Sequence, residues 1–119
     1  MTRPKADLAI VLDRLRSAHN VGNIFRLAEA VGAKEILCCG CTPCPPHPKL
    51  AKTAMGTDAT VPSRSFPDAL AAIRALRKEI PEITVLAVEA VEGAPDALGF
   101  RYPFPLALVF GNEALGISQ

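Results

Sequence analysis

The chain alternates short apolar runs with amphipathic stretches and with Gly- and Pro-rich breaks. Residues 7–13 (DLAIVLD), 35–39 (EILCC), 83–88 (ITVLAV) and 106–110 (LALVF) read as buried strands. A weaker strand is expected near Thr60-Val61. Residues 21–31 place Ile24, Leu27, Ala28 and Val31 at i, i+3, i+4 and i+7, the stripe of a helix facing a core. Asn20 is positioned to cap that helix and Gly32 to end it. Asn23 and Arg26 lie three apart, on the side away from the stripe. Residues 49–55 allow one or two helical turns. Pro67 suits the first turn of a second long helix reaching about Lys78, with Leu70, Ile73, Leu76 and Ile80 on its apolar side. Residues 40–48 are irregular, because Pro43, Pro45, Pro46 and Pro48 remove amide donors and fix φ. The order β-α-β-loop-(β)-α-β-loop-β predicts an α/β fold: a mainly parallel sheet with helices on both faces.

Composition narrows this picture. The chain has 119 residues, half of them hydrophobic, which supports one domain with a real core. No apolar stretch approaches the ~20 residues that cross a bilayer. The N-terminus carries no signal-peptide pattern, so a soluble, cytoplasmic protein without membrane contact is expected. Net charge is +1, so a polyanionic partner needs a local basic patch. Lys49, Lys52, Arg64, Arg74 and Arg77 are the candidates. With no Trp and few aromatics, a single-strand binder built on aromatic stacking is disfavoured.

The candidate chemistry is spread over the ends of the strands. There is no G-x-G-x-x-G after the first strand and no phosphate-binding P-loop, which disfavours a dinucleotide domain. An α/β sheet nevertheless binds ligands beyond the C-terminal ends of its strands. Those ends, residues 14–23, 40–47, 89–93 and 111–116, are all rich in Gly or polar side chains. Cys38, Cys39, Cys41, Cys44 and His47 have the donor types for zinc. Neighbouring strand residues face opposite ways, however, so Cys38 and Cys39 do not readily share an ion. No metal is expected. His19 and His47 have no triad-like partners and read as loop hydrogen-bonders. Asn20, Asn23 and Arg26 are either a cap, a surface amide and a solvated cation, or an anion clamp in which Arg grips a phosphate with its planar fork. Gly111-Asn-Glu113 is either a strand-ending turn or a close backbone approach to a ligand.

Taken together, these stretches carry a resemblance. His19-Asn-Val-Gly-Asn-Ile-Phe-Arg-Leu-Ala-Glu-Ala-Val-Gly-Ala33 resembles the first signature of the SpoU (TrmH-like) RNA methyltransferases of the SPOUT superfamily. Leu108-Val-Phe-Gly-Asn-Glu-Ala-Leu-Gly-Ile-Ser118 resembles their second. The stretch from Cys41 to Gly56 is similar to the loop after the second strand in one branch of the family. The resemblance spans nearly the whole chain in the family's own order.

It implies an α/β fold closed by a deep trefoil knot, with S-adenosylmethionine bent into the knot's loops. It also implies a homodimer whose active site lies at the subunit interface, methylating the ribose 2′-OH of tRNA or rRNA. On matching positions Arg26, Asn20 and Glu113 would be catalytic. Val88, Glu89, Gly111 and Asn112 would line the cofactor pocket, and Asn23, Lys49 and Lys52 would meet RNA. Arg26 is a poor base at its ordinary pKa, so it reads better as a phosphate clamp that also stabilises a developing alkoxide. The family has also been assigned an arginine general base. The chain ends before the family's third signature, a Ser-Leu-Asn-Val-Ser-type stretch. The expectation is therefore a single SpoU-like domain over residues 1–119, C-terminally truncated, with an incomplete knot. The alternatives are a non-catalytic RNA-binding or dimerisation module and, more distantly, a small metal-binding α/β protein.

Overall fold

The apolar runs form strands and the periodic stretches form helices in the computed structural model, which describes residues 7–88 and 104–111. In chain order these are β1 (Leu8–Asp13), α1 (Ala18–Val31), β2 (Glu35–Cys39), α2 (Pro48–Ala54), α3 (Thr57–Thr60), β3 (Ser63–Phe66), α4 (Ala69–Glu79), β4 (Thr84–Val88) and β5 (Leu106–Phe110). The five strands are all parallel, in the order β3-β2-β1-β5-β4. The chain grows outward from β1 to β3, then crosses to the far edge at β4 before β5 fills the gap. The order therefore reverses between β1 and β5, the kind of point where open α/β sheets hold ligands. The expected knot depends on segments outside the described residues.

Strand alternation divides the core in two. Ile10, Leu12, Ile36 and Cys38 face α1 and α2, where they pack with Val21, Phe25, Ala28, Leu50 and Ala54. Ala9, Val11, Leu37, Cys39, Ala107 and Val109 face α4, where they pack with Ala69, Ala72 and Leu76. Burial on both faces is why the central strands read as continuous apolar runs.

Several local expectations shift. The cap of α1 is Ser17, whose Oγ accepts from the Asn20 amide at 3.1 Å, so Asn20 sits inside the first turn. Gly32 ends the helix as expected, at φ 71. The buried side of α1 is Val21, Phe25 and Ala28, while Leu27 and Val31 are 53% and 47% exposed. Both stripes satisfy the helical period. Phe25, the bulkier residue, fixes the helix rotation by filling the core. On α4 the small residues Ala69 and Ala72 take the inward positions with Leu76. Leu70 turns outward, and Ile73 and Ile80 pack at the margin. Asp68 caps that helix, accepting from the Ala71 amide at 2.7 Å, with Pro67 preceding the cap.

The third strand in sequence order also moves. Residues 57–60 close into the short helix α3, held by the Thr57 hydroxyl donating to the Ala54 carbonyl at 2.7 Å, and β3 follows at Ser63–Phe66. Arg64 anchors this edge strand. Its Nε and Nη2 donate to both oxygens of Glu35 at 2.7 and 3.0 Å, and Nη1 donates to Glu79 at 2.8 Å. Its guanidinium also lies 5.4 Å from the Phe66 ring centroid. The hydrogen bond from Arg64 holds the Glu79 carboxyl below its ordinary range. Arg64 therefore ties β3 to β2 and α4, and it leaves the set of cations available to a polyanion. No described helix is long and apolar enough to cross a membrane.

Candidate active site and nucleic-acid interface

The register of the sheet brings the candidate strand ends together. Val88, the last residue of β4, pairs with Phe110, and Phe110 pairs with Leu12. Gly111 therefore leaves β5 between the ends of β4 and β1. Val88 and Gly111 are both half-buried. Glu89, Asn112 and Glu113 lie outside the described residues.

The end of β1 holds two features with no sequence signal. Asp13 is fully buried, with its carboxylate 3.4 Å from the Nε of Arg14, and Arg14 adopts the left-handed region at φ 58. The chain turns there because its amides are caught by the next strand's exit loop. The Arg14 amide donates to the Cys39 carbonyl at 3.1 Å, and the Leu15 amide donates to the Thr42 hydroxyl at 2.9 Å. That buried hydroxyl also lies 2.8 Å from the Cys39 carbonyl and 3.1 Å from the Leu12 carbonyl. Thr42 thus joins the exits of β1 and β2 and fixes where α1 begins. A lone Thr among Cys and Pro carries no pattern that sequence reading could weigh.

Helix α1 presents Asn20, Asn23 and Arg26, all exposed. Asn20 and Arg26 are six positions apart, about 9 Å along the axis, so they form a strip and not a single cluster. Gly22, between the two asparagines, is buried by α2. A Cβ built on it would stand 2.5 Å from the Cβ of Thr53 and 3.0 Å from the amide nitrogen of Ala54. This is the close approach that only Gly allows. Arg26 lies four residues on, next along the same side of the helix. The missing side chain at Gly22 therefore seats α2 beside the turn that carries Arg26. On α2, Lys49 and Lys52 are exposed, and His47 caps the helix by accepting from the Leu50 amide at 3.4 Å.

The cysteines divide between the two cores. Cys38 lies in the α1 side and Cys39 in the α4 side, while Cys41 is exposed and Cys44 half-buried against the α1 side. Among the described residues no group of three or more His, Cys, Asp and Glu side chains is arranged to hold a metal ion. Burial raises the Cys38 thiol. It pushes Cys39 up to about 12 from an ordinary 9.0, with the Asp13 and Asp68 carboxylates adding to the effect. The native state keeps these protons while the unfolded chain sheds them. Stability is therefore expected to fall as pH rises from about 9 toward 12, and Cys39→Ala should flatten part of that decline in thermal melts.

This arrangement matches known proteins across the described chain. The profile of the SpoU rRNA Methylase family matches residues 7–119. The chain belongs to the SpoU rRNA Methylase family. A tRNA (guanosine(18)-2′-O)-methyltransferase from Thermus thermophilus is 31% identical over 119 residues, covering all of this chain and 59% of its own length. The crystal structure of an rRNA methyltransferase from Sinorhizobium meliloti is 28% identical with a TM-score of 0.77, covering 98% of this chain and 44% of that one. The SpoU methyltransferase AviRb from Streptomyces viridochromogenes, solved in complex with AdoMet, is 26% identical with a TM-score of 0.77, covering 98% and 45%. The chain thus spans 59% or less of the length of these proteins. Their likeness places its parallel sheet in the SPOUT methyltransferase fold.

Proposed function

We propose that the protein transfers a methyl group from S-adenosylmethionine to a ribose 2′-OH of tRNA or rRNA. The observation that carries this reading is the convergence of the β4, β5 and β1 ends, at the point where strand order reverses, beside a helix bearing Asn20, Asn23 and Arg26. The half-buried Val88 and Gly111 fit the adenosine part of the cofactor. Gly111 has no side chain to obstruct a ligand there, and Glu89 and Asn112 are the residues expected to complete the pocket. When bound, the cofactor supplies a methyl already activated by its sulfonium.

The chain's own residues then have three tasks. They hold the RNA, align a weakly nucleophilic hydroxyl with the methyl, and ease loss of the hydroxyl proton. Arg26 grips a phosphate next to the target ribose and stabilises the charge that builds on O2′. Asn20 shapes the site, and Glu113 is proposed to orient the reacting groups. Asn23, Lys49 and Lys52 hold the RNA backbone, with α2 set beside α1 by the Gly22–Thr53 contact. The exposed Leu27 and Val31 lie on the same open side of α1 as Asn20 and Asn23. Apolar surface next to the proposed site supports a homodimer that covers this face and places the active site at the subunit interface. The whole is read as a single SpoU-like domain acting in the cytoplasm.

Calorimetry with S-adenosylmethionine tests the cofactor half of the reading. Saturable one-to-one binding is expected, weakened by Gly111→Val and unchanged by Lys52→Ala. Absence of binding in the presence of bound RNA would instead favour a non-catalytic RNA-binding module.

A further inference from the structure

Met55 follows α2 and is 72% exposed, the most exposed large apolar side chain among the described residues. It also occupies the left-handed region, at φ 53 and ψ 47. A helix-ending position of this kind ordinarily takes Gly or Asn, which adopt it without the steric cost borne by a long side chain. The left-handed turn ends α2, with the Met55 amide donating to the Ala51 carbonyl at 3.3 Å, but that cap calls for Gly or Asn and not for a long side chain whose thioether faces solvent. Strain held at one residue is a reason to look for a role there.

Its surroundings indicate the partner. Thr53 and Ala54 lie against Gly22, so the chain emerges at Met55 beside the turn of α1 between Asn20 and Asn23. Lys49 and Lys52 are exposed on the same short helix, which carries no carboxylate; the first that follows is the half-buried Asp58 on α3. The patch is cationic with one apolar projection. RNA offers the complement, since its phosphates suit the lysines and an unstacked base offers a flat apolar face. A polarisable thioether packs well against aromatic rings.

We propose that Met55 is an RNA-contact residue that packs against an unstacked nucleobase of the substrate, while Lys49 and Lys52 hold the flanking phosphates. The proposal rests on the reading of the protein as an RNA methyltransferase. It gives the sequence-tolerant apolar contact to a methionine in a chain poor in aromatics.

The test uses filter binding of end-labelled, unmodified tRNA and fragmented rRNA to the full-length protein. Met55→Gly should relieve the backbone strain, so its thermal midpoint should match or exceed wild type. Its RNA affinity should nevertheless fall by about three- to tenfold, the order of one lost thioether–ring contact. The salt dependence of binding should stay unchanged, because no phosphate contact is lost. Met55→Leu should retain most of the affinity. Lys52→Ala should lower the salt slope by about one. Wild-type affinity in Met55→Gly would overturn the proposal while leaving the methyltransferase reading intact. So would a change in oligomeric state with RNA affinity unchanged, which would assign Met55 to a second copy of the chain. Failure of the wild-type protein to bind any RNA would overturn the methyltransferase reading, and this proposal with it.

Discussion

Arg26→Ala is expected to lower methyl transfer by about 10²–10³-fold, with little change in stability or in S-adenosylmethionine affinity. Arg26 is exposed on the outer side of α1 and contributes nothing to the core formed by Val21, Phe25 and Ala28. Substitutions at such surface positions are usually worth within about 0.5 kcal/mol of stability. The rate effect is the cost of removing one charged donor aimed at developing negative charge. Arg26→Lys should recover only part of the rate, because an ammonium keeps the charge and loses the planar two-point grip on phosphate. Equal rates for Arg26→Ala and wild type would remove this residue from the chemistry. Rates and melting curves measured on the same preparations separate the two effects.

Gly22→Ala should be the more damaging change to the fold, although it adds a single methyl group. The new Cβ meets the Cβ of Thr53 at 2.5 Å and the backbone nitrogen of Ala54 at 3.0 Å. Neither is the far end of a flexible side chain, so α2 must move. Forced overpacking of this kind costs about 1–3 kcal/mol. Movement of α2 also carries Lys49 and Lys52 away from Asn23 and Arg26, so RNA affinity should fall along with stability. Thr53→Ala should not rescue the variant, because the near atom is the Cβ that alanine retains. Thr53→Gly should rescue it in part. A Gly22→Ala protein as stable as wild type would mean that α1 and α2 do not make this contact.

These two residues belong to one stretch of sequence, His19 to Arg26, and they were legible to different degrees. Arg26 could be singled out because a planar cation suits phosphate, and because the surrounding motif resembles a family. Gly22 belonged to the same motif, but its physical reason needed the position of α2, a contact across thirty-one residues of sequence. The strands β1, β2 and β5 were readable because each is a continuous apolar run between turn residues. The strand expected near Thr60-Val61 lies three residues before the observed β3. Ser63–Phe66 is polar and exists as a strand through its pairing with β2 and the Arg64 clamp on Glu35 and Glu79. Periodicity alone could not choose between two apolar stripes on α1, and the packing of Phe25 against the sheet decides it. Thr42 and Asp13 were missed for the same kind of reason. Their roles rest on what the exits of β1 and β2 do to each other. Of the expected cofactor residues, Val88 and Gly111 meet at neighbouring strand ends, while Glu89 and Asn112, like the catalytic candidate Glu113, lie outside the described residues.

The most direct test of the central claim is to locate the transferred methyl group. Full-length protein is incubated with unmodified tRNA or rRNA and methyl-labelled S-adenosylmethionine, and the RNA is hydrolysed in alkali. A methylated O2′ cannot attack its neighbouring phosphate, so the label should appear in alkali-resistant dinucleotides, and Arg26→Ala should deplete it. Label found only in single nucleotides would place the methyl on a base. That result, or no transfer to any RNA, would contradict the account.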